Sequence, residues 1–218
     1  PSIGGYRIFL SDPDARADRD FALVWAPDFG SAPQASLSSW DSGDAVYAML
    51  MLAPPLPEAM NPRPREVVFI IDTSGSIQGA SMDQAKRALR QGLNFLGPDD
   101  RFNLVRFSSE SERLFDESVP ASTHYIEESE HFIQALSADG GTVMAPALAM
   151  AMALPEQADL VRQIIFICDG SVGNERELLL QVGEQLGDSR LFTVSIGSAP
   201  NAWFMRKAAA VGRGSHTH

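Results

Sequence analysis

Three short segments of the chain carry oxygen-bearing side chains in a pattern that suits a hard divalent cation. The first is Asp72-Thr73-Ser74-Gly75-Ser76, a carboxylate and two hydroxyls at alternate positions. The second is Gly140-Gly141-Thr142, a hydroxyl behind two glycines, and the third is Asp169-Gly170. Oxygen donors without thiolate or imidazole are what Mg²⁺ selects, with Ca²⁺ or Mn²⁺ as the other fits. Mg²⁺ takes about six oxygens near 2.1 Å and keeps some of them as water. The side chains of Asp72, Ser74, Ser76, Thr142 and Asp169 therefore suit one cation better than two. A lone Asp-x-Ser-x-Ser would read first as a turn and a helix cap, because Ser and Gly are common turn residues. Three such loops, each at an expected strand-to-helix junction, shift the reading to a ligand site. No base or nucleophile other than these ligands stands in the loops, which points away from catalysis.

The elements that must hold these loops are legible around them. Val67-Val68-Phe69-Ile70-Ile71 runs straight into Asp72, and Ile164-Ile165-Phe166-Ile167-Cys168 runs straight into Asp169. Continuous apolar runs of this kind read as strands buried on both faces, as in a parallel sheet. In open α/β sheets ligands bind at the carboxyl ends of such strands. Met82, Ala85, Leu89, Leu93 and Leu96 recur at helical spacing, with Ser81 and Gln84 as a capping box and Gly97-Pro98 as a stop. Residues 102–107 read as the next strand, and 110–116 as a short hairpin or edge strand. Ser122 or Thr123 would cap a helix through Leu136, with Glu127 and Glu128 favourably near its positive end. His124 and His131 on that helix have no third ligand near them in sequence and read as surface residues. Pro146 suits the first turn of another helix, and its Met144, Met150 and Met152 read as core filling. Asn174 with Glu177 forms a capping-type pair for a helix carrying Leu178, Val182 and Leu186. Residues 191–196 form the last clear strand, Asn201 caps a helix over 202–210, and His216-x-His218 reads as a strand stub. The sum is an α/β fold: a doubly wound, mostly parallel sheet flanked by helices, Rossmann-like.

Residues 1–60 read differently. Residues 6–10, 21–25 and 45–52 are strand candidates, a Ser/Gly/Pro-rich loop is expected over 30–39, and no helical period appears. A linker follows at 61–65, in a stretch rich in proline, and 66–218 form the α/β domain. The net charge of −11 argues against binding a phosphate backbone, so no nucleic-acid partner is expected. The single cysteine, Cys168, excludes an internal disulfide and reads as a small buried apolar residue. No apolar run is long enough for a transmembrane helix. The chain opens at Pro1 without the pattern of a leader, which is expected of either a processed or an excised chain.

Asp72-x-Ser74-x-Ser76 with Thr142 and Asp169 resembles the metal-ion-dependent adhesion site of von Willebrand factor type A domains. The resemblance covers about residues 65–218. The string from Arg65 to Ser76, with Asp169-Gly170 and Asn174-Glu175, is most similar to the inter-α-trypsin inhibitor heavy chain branch. Bacterial envelope proteins with a VIT domain before a type A domain share that branch. The segment Asp18 to Trp25 and the stretch from Tyr47 to Pro55 resemble the end of a VIT domain. One departure is Cys168, where the family has threonine. The resemblance implies a non-enzymatic module in which Ser74, Ser76 and Thr142 bind Mg²⁺ directly, Asp72 and Asp169 act mostly through water, and an acidic side chain of a protein partner completes the shell. It implies an extracellular or cell-envelope location and a final helix beyond the stub. Two other readings are a metal-dependent hydrolase or phosphotransferase, and a type A subunit of an intracellular ATPase complex. The first would use Asp-x-Asp after the leading strand, where this chain has Ser74.

Overall fold

The computed structural model describes residues 34–53, 63–155, 157 and 159–218. The strand candidates at 6–10 and 21–25 lie outside the described residues, as do residues 61 and 62 of the expected linker. The chain divides into two compact units, Pro1–Asn61 and Pro62–His218.

In the first unit, β1 (Gln34–Asp41) and β2 (Val46–Ala53) form an antiparallel hairpin, paired from Gln34 with Ala53 to Asp41 with Val46. The turn between them is closed by Ser42 N donating to Ala45 O at 3.0 Å and Gly43 N donating to the Asp41 carboxylate at 2.8 Å. Gly43 takes φ +87°, a conformation glycine adopts without the Cβ penalty. Trp40 and Tyr47 face each other across the ladder and stack at 5.7 Å. Strand β2 meets the expectation for 45–52. Strand β1 corrects the loop expected over 30–39. Its Ser and Ala content gave no strand signal, and the order comes from pairing with β2, a partner that composition does not reveal.

The second unit is built on β3 (Arg65–Asp72), β4 (Arg101–Phe107), β7 (Val161–Cys168), β8 (Arg190–Ser195) and β9 (His216–Thr217), parallel to one another in the order β4-β3-β7-β8-β9. Two short strands, β5 (Ser111–Arg113) and β6 (Val119–Pro120), pair antiparallel with β4. Helices α1 (Ala80–Asn94) and α2 (Thr123–Ala135) cover one face. Helices α3 (Met144–Met152), α4 (Glu175–Gln185) and α5 (Ala202–Val211) cover the other.

The apolar runs explain the layering. Alternate residues of a strand point to opposite faces. Val68 and Ile70 join Ile164, Phe166 and Cys168 under α3, α4 and α5. Val67, Phe69 and Ile71 join Ile165 and Ile167 under α1 and α2. Each large side chain buried this way stabilises the fold by about 1.5–3 kcal/mol. Met82, Ala85, Leu89 and Leu93 form the buried stripe of α1, as their spacing predicts. Leu96 lies beyond the helix and packs partly buried on the same cluster. The capping box at Ser81 and Gln84 does not form. Helix α1 begins two residues earlier than that box implies, at Ala80, and Gly79 occupies the N-cap at φ +69°. Asn174 is the N-cap of α4, but its side chain donates to Glu177 Oε2 at 3.2 Å instead of capping backbone. Asn201 caps α5 as expected, accepting from Phe204 N at 3.2 Å.

Candidate metal centre

Asp72 is the last residue of β3, and its side chain is fully buried. One carboxylate oxygen, Oδ1, accepts from Ser74 N at 2.8 Å, which folds the chain back over the strand end. The hydroxyls of Ser74 and Ser76 converge to 3.0 Å. The short helical turn Gly75–Ile77 then leads into α1 and anchors through the buried Ile77. Thr73, between the ligand positions, points away. Its amide and hydroxyl both donate to Phe107 O at 2.8 Å, tying the loop to the end of β4.

The second loop is stitched to the first through backbone. Gly75 N donates to Gly140 O at 3.1 Å, and Asp139 N donates to Thr73 O at 2.8 Å. Val143 N donates to Ser108 O and Gly141 N to Ser109 Oγ, each at 2.8 Å. A Cβ at Gly140 would come within 2.9 Å of Ser109 Oγ, and Gly140 sits at φ +79°. The Gly-Gly pair is therefore needed for close approach, and the half-buried Thr142 follows it directly in the chain. Ser108 and Ser109 were missed by sequence reasoning. They directly follow β4, at the same sheet edge as the other loops, and that position was the available signal.

Asp169 follows β7 at the neighbouring strand end and is half-buried. Its carboxylate accepts from Ser171 N at 2.9 Å, and its carbonyl accepts from Asn201 N at 2.7 Å. The N-terminus of α5 thus holds this loop. Asn201 also donates to Glu175 Oε1 at 3.0 Å, linking the start of α4. Cys168 is fully buried, and its sulfur accepts from Gly170 N at 3.2 Å. The place of the cysteine is thus beneath the loop, and burial pushes its thiol pKa well up.

Electrostatics join the two carboxylates. Burial pushes Asp72 up to about 6, hydrogen bonds from Ser74 pull it down, and the nearby Asp169 charge pushes it up again. Its second oxygen, Oδ2, is buried with no hydrogen-bond partner among the described residues. A buried oxygen left without a partner costs about 1–3 kcal/mol, more when charged. Among the described residues no three His, Cys, Asp or Glu side chains converge to hold a metal. The cluster instead combines two carboxylates with hydroxyls, an all-oxygen donor set that fits Mg²⁺, Ca²⁺ or Mn²⁺. His124 and His131 are exposed on α2 and do not join it.

Five parallel strands, helices on both faces and three loops gathered at one sheet edge match a known family. The sequence profile of the von Willebrand factor type A domain matches residues 65–217. The chain belongs to that family. Inter-alpha-trypsin inhibitor heavy chain H4 of Sus scrofa is 36% identical over 166 residues, covering 70% of this chain and 18% of that protein. The chain thus spans under a fifth of the length of this relative. A von Willebrand factor type A structure from Catenulispora acidiphila superposes with a TM-score of 0.65 at 20% identity, covering 79% of this chain and 41% of that one. Proximal thread matrix protein 1 of the mussel byssus, described with a zinc-occupied MIDAS motif, superposes with a TM-score of 0.57 at 15% identity, covering 71% of this chain and 41% of that one. These structural likenesses establish the fold. No helix among the described residues of this type A domain chain is long and apolar enough to cross a membrane.

Proposed function

We propose that the type A domain is a non-enzymatic protein-binding module that works through one divalent cation held by Asp72, Ser74, Ser76, Thr142 and Asp169. The observation that carries this reading is Asp72. A fully buried carboxylate keeps one oxygen without a partner while sitting beside a second carboxylate and two convergent hydroxyls. Such an arrangement is costly unless a cation joins it. The zinc reported at the MIDAS motif of the mussel protein supports the same reading. We take Mg²⁺ as the cation, with Ca²⁺ and Mn²⁺ as the other fits to an all-oxygen donor set.

The chain's own groups divide the work. Ser74, Ser76 and Thr142 present neutral hydroxyls, while the buried Asp72 and the half-buried Asp169 supply negative charge. Backbone bonds between the loops fix the hydroxyls before any ligand arrives. With neutral hydroxyls as its direct ligands, the cation would keep an open position for a carboxylate of a protein partner. We propose that the module acts outside the cell or in the cell envelope, where the heavy-chain-like branch is expected to act. Residues 1–60 fit, on this reading, as the end of a VIT domain ahead of a linker and the type A domain at 66–218.

Calorimetric titration of chelator-treated protein with Mg²⁺, Ca²⁺ and Mn²⁺ tests the reading, with Asp72→Ala and Thr142→Ala alongside. One-to-one binding that both folded variants lose is the expected result. Absence of binding by the unaltered protein, or binding that both variants retain, would overturn it.

A further inference from the structure

We propose that Asp139 is a site of spontaneous isomerisation to isoaspartate, and that this change in the second loop disables the metal centre. The chain contains two Asp-Gly pairs, Asp139-Gly140 and Asp169-Gly170, one in each of two loops of the centre. The fold treats them in opposite ways. Gly140 N lies 2.7 Å from Asp139 Oδ1, so the amide nitrogen rests against the carboxyl group of the residue before it. Both residues are exposed, and glycine adds no side chain to shield the approach. The Asp169 carboxylate instead accepts from Ser171 N at 2.9 Å, and Gly170 N is engaged by the Cys168 sulfur at 3.2 Å. Gly170 is buried, and its Cα faces the Asn201 carbonyl and Met205.

The reaction needs nothing but water. Gly140 N attacks Asp139 Cγ, a C–N bond forms, and the carboxyl OH leaves with the amide proton as water. The product is a five-membered succinimide. Water then adds to one of its two carbonyls. Attack at Cγ restores aspartate. Attack at the backbone carbonyl carbon breaks its bond to Gly140 N, leaving the chain running through Cγ and the α-carboxylate free. The formal charge is unchanged, but the backbone gains one carbon–carbon bond, about 1.5 Å.

That added length has no room. Asp139 N is held by Thr73 O at 2.8 Å, Gly140 O by Gly75 N at 3.1 Å, and Val143 N by Ser108 O at 2.8 Å. The inserted carbon falls between the first two of these anchors, so Gly140 must leave Gly75 and Thr142 must move with it. The loss of metal binding rests on the function proposed above, whereas the isomerisation does not.

Folded protein aged at physiological temperature in mildly acidic buffer, and a parallel sample in concentrated urea, are digested and mapped by electron-transfer mass spectrometry. Isoaspartate at 139 is expected to accumulate several-fold faster than at 169 in the folded sample, with comparable rates in urea and no such product at 139 in Asp139→Glu. Equal rates at the two sites in the folded protein, or no product at 139 while the urea sample reacts, would overturn the proposal. The isomerised and unmodified fractions are then separated and titrated with Mg²⁺. Loss of binding in the isomerised fraction alone is expected. Equal binding by both fractions would overturn the claim of disablement, and no binding by either would instead remove the metal reading while leaving the isomerisation standing.

Discussion

Asp72 concentrates the functional argument in one side chain, and its protonation has a definite sign. Its folded value of about 6 lies above the ordinary 3.8, mainly through burial. The folded state therefore holds this proton more tightly than the unfolded chain. Its contribution to stability is fully present below about 3.8 and is lost as pH rises through about 6. The difference is on the order of 3 kcal/mol. Chelator-treated protein is thus expected to lose thermal stability through this group across that window. Asp72→Asn cannot ionise, so without metal its melting temperature at neutral pH should match or exceed that of the unaltered protein. The same variant should show no response to Mg²⁺. A variant that is less stable across the whole range, and still responds to Mg²⁺, would contradict the account. Because protons and the cation compete for Asp72, Mg²⁺ affinity in the unaltered protein should fall as pH drops below about 6, which titrations at several pH values would show.

Helix α5 does for the third loop what no ligand residue does for itself. Asn201 caps the helix, holds the Asp169 carbonyl and reaches Glu175 at the start of α4. Asn201→Ala should cost about 1 kcal/mol as a lost cap. It should weaken Mg²⁺ binding only indirectly: the Asn201 N bond to the Asp169 carbonyl is backbone and survives, but the side chain that seats that amide through Phe204 N and Glu175 is gone. Melting and titration on the same sample separate the two effects, and an unchanged affinity would show that the loop is held without it. Gly170→Ala is expected to be worse, since Gly170 sits at φ +72° with Asn201 O only 3.1 Å from a built Cβ. At this scale the sequence was informative where an apolar run meets an aspartate. Strands β3 and β7, their loops and the stripe of α1 all followed from residue type and period. The capping of α1 did not follow, because Gly79 at a left-handed φ takes the position that Ser81 and Gln84 advertised. Ser108 and Ser109 were hidden for a related reason. A serine after a strand is ordinary, and only the tertiary approach of Gly140 gives it a task. The bond from Asn201 to Asp169 is likewise a contact between distant segments, which local patterning does not encode.

The sheet itself separates what must be stable from what must bind. At the end of β3 far from Asp72, Glu66 is buried, accepting from Arg162 Nε at 2.7 Å and from Ser118 Oγ at 2.5 Å. Glu66 and Arg162 are partners in register on β3 and β7, the two strands that carry Asp72 and Asp169 at their other ends. Arg162 also donates to Met152 O and Pro155 O, so it ties the end of α3 to the sheet. Removing the arginine leaves a buried carboxylate without its partner, which typically costs about 3–5 kcal/mol. Replacing Glu66 as well should recover much of that loss. Distant sites contribute to stability nearly independently, whereas a ligand that binds only the folded state stabilises it by about 2.7 kcal/mol at a hundredfold excess over Kd. The two ends of one pair of strands can therefore be set against each other. Arg162→Met should lower the melting temperature sharply and keep the full upward shift on adding Mg²⁺. Asp72→Asn should keep the starting melting temperature and lose the shift. A Mg²⁺ shift abolished by Arg162→Met, in protein that is still folded before heating, would mean that the cation reads the integrity of the whole sheet and not only the three loops at its edge.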